Sequence, residues 1–139
     1  MHGFNIAISL HHPFDFAEFS WKTPFDFQQK HVMRISQHAN IKVEQYTADT
    51  FLSEKLWIDT DKFFIVTEGI ITNSDELCAE YNVSDINSLI SVIIEENNFF
   101  KKFRGNFCGF VYNKSSQTYL TFNNHTGTKK LFYFINSDF

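Results

Sequence analysis

The sequence is poor in cysteine, proline, glycine and arginine, and these shortages exclude several classes of protein. Its 139 residues include two cysteines, two prolines, five glycines and two arginines. Two cysteines cannot build a disulfide framework, so we expect a reduced, cytoplasmic protein. So little proline and glycine leaves no low-complexity segment. A net charge of −4 gives no electrostatic footprint for nucleic acid.

Long apolar runs and a basic leader are also missing from the sequence. The first apolar stretch, Phe4–Leu10, is interrupted by Asn5 and Ser9 and follows no basic residues, so we expect no signal peptide. The longest apolar run falls far short of the roughly 20 residues that span a bilayer. The sequence therefore predicts a protein without a membrane partner.

Phenylalanine is abundant, with 18 copies, and it indicates a sheet-rich core. Hydrophobic residues make up 43% of the chain and charged residues 20%, which is a globular composition. Phe favours strands and fills thick cores. A length of 139 residues suits one domain of ordinary size, so we predict a single domain over residues 1–139.

Alternating apolar residues predict most of the secondary structure as strands. In the first part of the chain two segments lack this alternation. Phe14–Phe27 is predicted to be an irregular loop, and Gln28–Gln37 is predicted to be a short helix that buries Val32, Met33 and Ile35. Gly69, near the end of one strand, predicts a bulge or a close backbone approach. The predicted strands are Phe4–Leu10, Ile41–Tyr46, Phe63–Ile71, Phe107–Tyr112, Gln117–Phe122 and Leu131–Ile135.

Two helices are predicted between the central strands and the last ones. The first covers Asp75–Tyr81 and is capped by Asn73 or Ser74. The second is capped by Ser84 or Asp85, and its apolar residues recur at helical spacing. The order of strands, two helices and strands predicts an α+β fold, a layered sandwich of mainly antiparallel sheets flanked by helices. The apolar stripe consists of Ile86, Leu89, Ile90, Ile93 and Ile94.

Three segments carry a resemblance to a known family. They are GNFCGFVYNK at Gly105–Lys114, NHTGTKKLFY at Asn124–Tyr133, and EGIITN at Glu68–Asn73 followed by Glu76 and Leu77. In this order they resemble the N-terminal glutaminase domain of asparagine synthetases, a class II glutamine amidotransferase with the N-terminal-nucleophile hydrolase fold. The resemblance implies that further C-terminal strands and a downstream synthetase domain belong to such a protein.

The resemblance also implies a nucleophile that this chain lacks. The family begins Met-Cys-Gly, and the cysteine's own α-amine activates its thiol. Here His2 stands at the nucleophile position. We expect Met1 to be retained before so large a residue, which leaves no free amine beside His2. The family's mechanism is then lost.

Three other roles implied by the resemblance fall on altered or displaced residues. The family's oxyanion hole uses an Asn side chain and the backbone N–H of the next Gly. Gly69 matches, but Glu68 replaces the Asn, and its carboxylate repels an oxyanion. The Arg that holds the substrate's carboxylate is absent from Ile41–Phe51. Asp85 lies near the place of the Asp that binds the substrate's amine.

The resemblance therefore implies a glutaminase-like domain of an asparagine-synthetase-like protein that is unable to hydrolyse glutamine. The domain itself needs no cofactor, and ATP and magnesium are expected in the downstream synthetase domain. The expected partner is that domain, in the same chain or in another protein, with a homodimer as a further expectation. Two alternatives stay open: a free-standing binding module on the same scaffold, and an active glutaminase.

Polar residues elsewhere are interpreted as structural. Six histidines are dispersed without metal-ligand spacing, so no zinc site is predicted. Asn123, Asn124 and His125 could form an amide-binding pocket, but we favour turn chemistry around Gly127. Cys108 lies in an apolar strand and is expected to be a core residue.

Overall fold

The computed structural model describes residues 3–9, 31–38 and 40–133. The chain divides into two compact units, residues 1–50 with 133–139 and residues 51–132. The single domain over 1–139 stays a prediction. His2, the predicted loop Phe14–Phe27 and the end of the predicted strand Leu131–Ile135 lie outside the described residues.

The first unit contains a three-stranded antiparallel sheet in the order β1-β3-β2. Its strands are β1 Gly3–Ile8, β2 His31–His38 and β3 Ile41–Ala48. The central strand pairs with both neighbours, with Ile6 opposite Val43 in one ladder. Ile41 and Val43 are each 1% exposed, as expected of a central strand whose apolar residues are buried.

The helix predicted at Gln28–Gln37 is wrong, because His31–His38 forms β2. All eight residues of β2 pair with β3, including Arg34 opposite Gln45. Val32, Met33 and Ile35 fit a helix face poorly, and in the strand alternate residues of β2 direct their backbone groups to β3. A pairing partner beyond the local window therefore overrode the local pattern.

The second unit contains a four-stranded antiparallel sheet in the order β4-β5-β6-β7. Its strands are β4 Trp57–Asp59, β5 Phe63–Ile71, β6 Gly105–Asn113 and β7 Thr118–Asn123. The predicted strand at Phe63–Ile71 is confirmed, and so is the hairpin of β6 and β7. The three-residue β4 was not predicted, since a strand so short shows no alternation.

Two helices lie in this second unit, α1 at Ser74–Glu80 and α2 at Ile86–Ile93. The predicted stripe of α2 is confirmed, because Leu89, Ile90 and Ile93 are fully buried in one core cluster with residues of β5 and β6. Short 3₁₀ turns at Leu52–Glu54 and Phe99–Lys102 complete the unit. Phe99, Phe103, Phe107 and Phe122 meet edge to face in this core.

The α+β class is confirmed, because both sheets are antiparallel and the helices pack on one face of the second sheet. The predicted last strand is not formed in its described part: residues 131–133 carry no strand structure. Strand β5 is buried along nearly its whole length, on both of its faces. This strand carries the positions that the sequence singled out as an oxyanion hole.

Candidate functional site

The predicted oxyanion-hole residues lie in β5, and the backbone there requires glycine. Gly69 has φ +106°, a conformation that L side chains rarely adopt. A Cβ on Gly69 would lie 2.0 Å from the carbonyl oxygen of Asn106 in the neighbouring strand. The predicted close backbone approach is confirmed. Gly69 is thus explained by strand geometry before any catalytic role is invoked.

Glu68 is buried, with only 3% of its surface exposed. Its Oε1 lies 3.5 Å from Nζ of Lys55, and the two side chains are 4% and 6% exposed. Ile65 and Ile71 point into the helix-covered core, so alternation along β5 directs Glu68 to the opposite face. The position therefore holds an ion pair where the resemblance implies an amide donor.

Lys55 is brought to Glu68 by the chain between the turn Leu52–Glu54 and β4. The backbone N–H of Leu56 donates to Oγ1 of Thr67 at 2.7 Å. In return the N–H of Thr67 donates to the carbonyl oxygen of Leu56 at 2.9 Å. These two bonds fix Lys55 beside Glu68. Sequence reasoning missed Lys55, because the two residues are 13 positions apart and no repeat links them.

A carboxylate at this position changes what the site can do chemically. An ionised Glu only accepts hydrogen bonds, whereas an oxyanion must receive them. The Lys55 ammonium offsets part of the carboxylate charge, but it also holds that carboxylate in place. The pair explains how a charged residue is accommodated inside the unit, and it leaves the backbone N–H of Gly69 as the remaining donor of the predicted hole.

Cys108 lies directly opposite Glu68 in the β5–β6 ladder and is buried, as predicted. Burial is the main cause that raises the pKa of its thiol to about 11; the Lys129 charge opposes this rise and the Glu68 charge adds a smaller upward contribution. At neutral pH the sulfur therefore keeps its proton. A protonated thiol is a poor nucleophile, so Cys108 does not substitute for the missing cysteine.

Asp85 forms the N-cap of α2, as predicted. Its Oδ1 accepts from the backbone N–H of Ser88 at 2.9 Å, and its Oδ2 accepts from the hydroxyls of Ser84 and Ser88. These bonds lower the pKa of Asp85, the backbone bond from Ser88 most strongly. Capping thus accounts for the side chain, and its assignment to a substrate's amine stays a prediction.

The segment Ile41–Phe51 contains no Arg, and charged residues of β3 pair with each other there. Nζ of Lys42 lies 3.1 Å from Glu44, and the hydroxyl of Tyr46 donates to Glu44 at 2.6 Å. Burial and this bond raise the pKa of Tyr46 to about 12. The alternating residues Lys42, Glu44 and Tyr46 share one face of the strand. In this segment the charges of Lys42 and Glu44 thus offset each other.

The turn after β7 is structural, which confirms the interpretation of Asn124 as turn chemistry. Asn124 is buried, with only 8% of its surface exposed. Nδ2 donates to the carbonyl oxygen of Gly105 at 3.1 Å and to the hydroxyls of Thr126 and Thr128. Oδ1 accepts from the N–H of Thr128. All of these bonds pin the turn to β6 and to itself.

A cleft of about 420 Å³ lies between α1 and the segment that leads into β6. Asn73 lines this cleft. Its Nδ2 donates to the carbonyl oxygen of Lys102, and its Oδ1 accepts from the backbone N–H of Arg104. Asn73 is the N-cap of α1 by position, yet its side chain makes these bonds instead of a cap bond. The cleft also carries the exposed ion pair of Arg104 and Glu76, 3.6 Å apart.

In residues 3–9, 31–38 and 40–133, no group of three or more His, Cys, Asp or Glu side chains is placed to hold a metal ion. Within the same ranges no helix has the length and apolar character needed to cross a bilayer.

Comparison with known proteins yields a family match. Residues 53–139 match a family model described as a glutamine amidotransferase domain. The match covers well over half of the chain and includes Lys55, Glu68, Gly69 and Cys108. A comparison with curated proteins finds no match.

Proposed function

Because this chain belongs to the glutamine amidotransferase domain family, we propose that it is an asparagine-synthetase-like member of the family that does not hydrolyse glutamine. The family model shows the glutamine amidotransferase domain alone. The order of the three sequence motifs supports the likeness to asparagine synthetases. The residues at positions 2 and 68, His2 and Glu68, support the loss of hydrolysis.

The observation that carries the proposal is the buried pair of Glu68 and Lys55. Removing one oxyanion-hole donor costs on the order of 10²–10³ in rate. Placing a carboxylate there adds repulsion to that loss, because the intermediate and the side chain are both negative. Burial strengthens the repulsion, since the low dielectric constant of the interior screens charges poorly.

The nucleophile supports the same proposal. Position 2 holds His2, and the thiol of Cys108 keeps its proton. A glutaminase of this kind must form a thioester from an activated cysteine. The chain thus lacks the attacking group and one donor of the hole, while the glycine-dependent strand geometry around Gly69 is intact.

By the resemblance, the complete protein uses ATP and magnesium in a downstream synthetase domain to activate a carboxylate and form an amide. The present domain then supports folding, docking or substrate delivery in a cytoplasmic enzyme. Ammonia for the amide comes from another source. This setting is proposed from the resemblance, and the Asp85 assignment to a substrate's amine belongs to it.

The experiment is a restoration series measured by glutamate release from glutamine. The series contains wild type, His2→Cys, Glu68→Asn with Lys55→Met, and the combination of all three. The Lys55→Met change accompanies Glu68→Asn because the ammonium would otherwise lose the Glu68 carboxylate. N-terminal mass identifies which proteins have lost Met1. We expect no turnover from wild type and measurable turnover only from the combined variant with Cys at its N-terminus.

Two outcomes of this series contradict the proposal. Turnover by wild type above that of a heat-denatured blank shows an active glutaminase, the alternative that used another nucleophile. Turnover by His2→Cys equal to that of the combined variant shows that Glu68 does not block the oxyanion hole.

The second alternative, a binding module, is favoured by the exposed residues of β7, 50% at Tyr119 and 42% at Leu120.

A further inference from the structure

Strand β7 is the open edge of the sheet in the second unit. It lies at the end of the order β4-β5-β6-β7, so within the described part of the chain one side of its backbone has no neighbouring strand. Its six residues, TYLTFN, include no charged residue and no proline. Five of the six are exposed, among them Tyr119 at 50% and Leu120 at 42%. Such an edge is a template for pairing with another strand.

The opposite edge of the same sheet is protected. Strand β4 has only three residues, and its last, Asp59, is charged. Nζ of Lys114 lies 2.5 Å from Oδ1 of Asp59 and also contacts the carbonyl oxygen of Thr60. Short length and charge are the usual devices that keep edges from pairing. The contrast singles out β7 as the edge without such protection.

The direction of the backbone groups of β7 follows from one hydrogen bond. The N–H of Asn124 donates to the carbonyl oxygen of Phe107 in β6 at 3.0 Å. In an antiparallel ladder, alternate residues direct both backbone groups to the same neighbour. Leu120 and Phe122 therefore bond to β6, while Tyr119 and Thr121 direct their N–H and C=O groups to the open side.

We propose that β7 pairs antiparallel with β7 of a second copy of the chain, across a two-fold axis at Leu120. In this register Leu120 meets the Leu120 of its copy, and Tyr119 stands opposite Thr121. The outward backbone groups of Tyr119 and Thr121 then form hydrogen-bonded pairs on both sides of the axis. Every contact off the axis is made twice, as two-fold symmetry requires. The proposal does not rest on the proposed function.

A second copy fits this edge better than a charged partner because the strand is uncharged. No like charges meet when β7 pairs with itself, whereas a charged partner strand would find no opposite charge on β7. The central contact is apolar, between two Leu side chains that are each 42% exposed in the single chain. An interface of about six residues a side is small beside a standard interface of about 20–30 residues a side, so we expect weak association.

The test is sedimentation equilibrium of the 139-residue chain from about 10 μM to 1 mM. Wild type is expected to approach twice the mass of one chain at the highest concentration. Leu120→Lys and Leu120→Glu are each expected to remain monomeric, because like charges meet at the axis. Their equimolar mixture is expected to dimerise, since Lys then faces Glu. Circular dichroism shows that each variant is folded.

Two further variants separate edge pairing from other association. Thr121→Pro removes an outward N–H without removing a bond to β6, so it is expected to abolish the dimer and leave the monomer folded. Val92→Lys, on the exposed side of α2 where Val92 is 52% exposed, is the matched control and is expected to dimerise like wild type. A monomeric wild type at 1 mM, or dimers of Leu120→Lys alone, overturns the proposal.

Discussion

Separating the buried ions Lys55 and Glu68 is predicted to destabilise the second unit strongly. Their side chains are 6% and 4% exposed and their charged atoms are 3.5 Å apart, so water does little to solvate either charge. Removing one member of a buried pair costs about 3–5 kcal/mol, because the other charge stays buried without it. Lys55→Met is therefore expected to lower the free energy of unfolding by that amount.

The double variant is predicted to recover most of this loss. Replacing a buried pair by apolar residues of similar volume is neutral or stabilising by about 1–4 kcal/mol. Lys55→Met with Glu68→Leu is thus expected to be at least as stable as wild type within about 1 kcal/mol. The coupling energy of the cycle then exceeds about 2 kcal/mol, above the range for exposed pairs.

Urea unfolding followed by circular dichroism measures the four proteins of the cycle at one pH. A matched exposed pair serves as the control: Arg104 and Glu76 are 3.6 Å apart but about three-quarters exposed, so their cycle is expected to give a coupling below about 1 kcal/mol. The reasoning is refuted if Lys55→Met costs less than about 1 kcal/mol, because the ion pair with Lys55 then contributes no more than an exposed pair does.

Three further predictions concern single residues. Gly69→Ala is expected to lower the free energy of unfolding in urea by at least about 2 kcal/mol, because its Cβ would lie 2.0 Å from the Asn106 carbonyl oxygen at φ +106°. The control Gly3→Ala, whose Cβ meets nothing within 4 Å, is expected to be neutral. Equal effects of the two substitutions would contradict the strand geometry. Iodoacetamide is expected to alkylate Cys108 at pH 8 about 100-fold more slowly in the folded protein than in urea, since the pKa of the folded thiol is about 11. The raised pKa also predicts that the contribution of Cys108 to stability is lost as the pH rises toward 11. Equal alkylation rates by mass spectrometry would contradict both predictions. Asp85 has a lowered pKa, so its contribution to stability is present above its unfolded pKa and is lost as the pH falls below about 4. Asp85→Asn is expected to flatten that part of the curve of stability against pH. An unchanged curve would contradict the charge dependence of the cap.

The elements with strong local periodicity could be predicted from the sequence. Strand β5 alternates and is rich in β-branched and aromatic residues, and α2 has apolar residues at helical spacing with Asp85 before them. Both signals come from residues close together in the chain. The cap at Asp85 was predictable for the same reason, because an N-cap bonds to the backbone two or three residues later.

Features that depend on distant residues could not be predicted. Strand β2 gains its conformation from pairing with β3, which begins at Ile41 and lies outside the segment Gln28–Gln37 whose apolar pattern was used. The ion pair of Lys55 and Glu68 depends on the path of the chain into β4, a strand of three residues. The resemblance predicted the importance of position 68, but only the fold showed that its carboxylate is buried and paired.

Glutamate release from glutamine by the purified wild-type chain tests the central claim most directly. The measurement compares the folded protein with a heat-denatured blank at the same concentration, over several hours. On the proposed function we predict no glutamate above the blank, because the resemblance implies that His2 replaces the cysteine nucleophile and that the buried Glu68 replaces the Asn of the oxyanion hole. Sustained release in proportion to protein concentration would contradict the account.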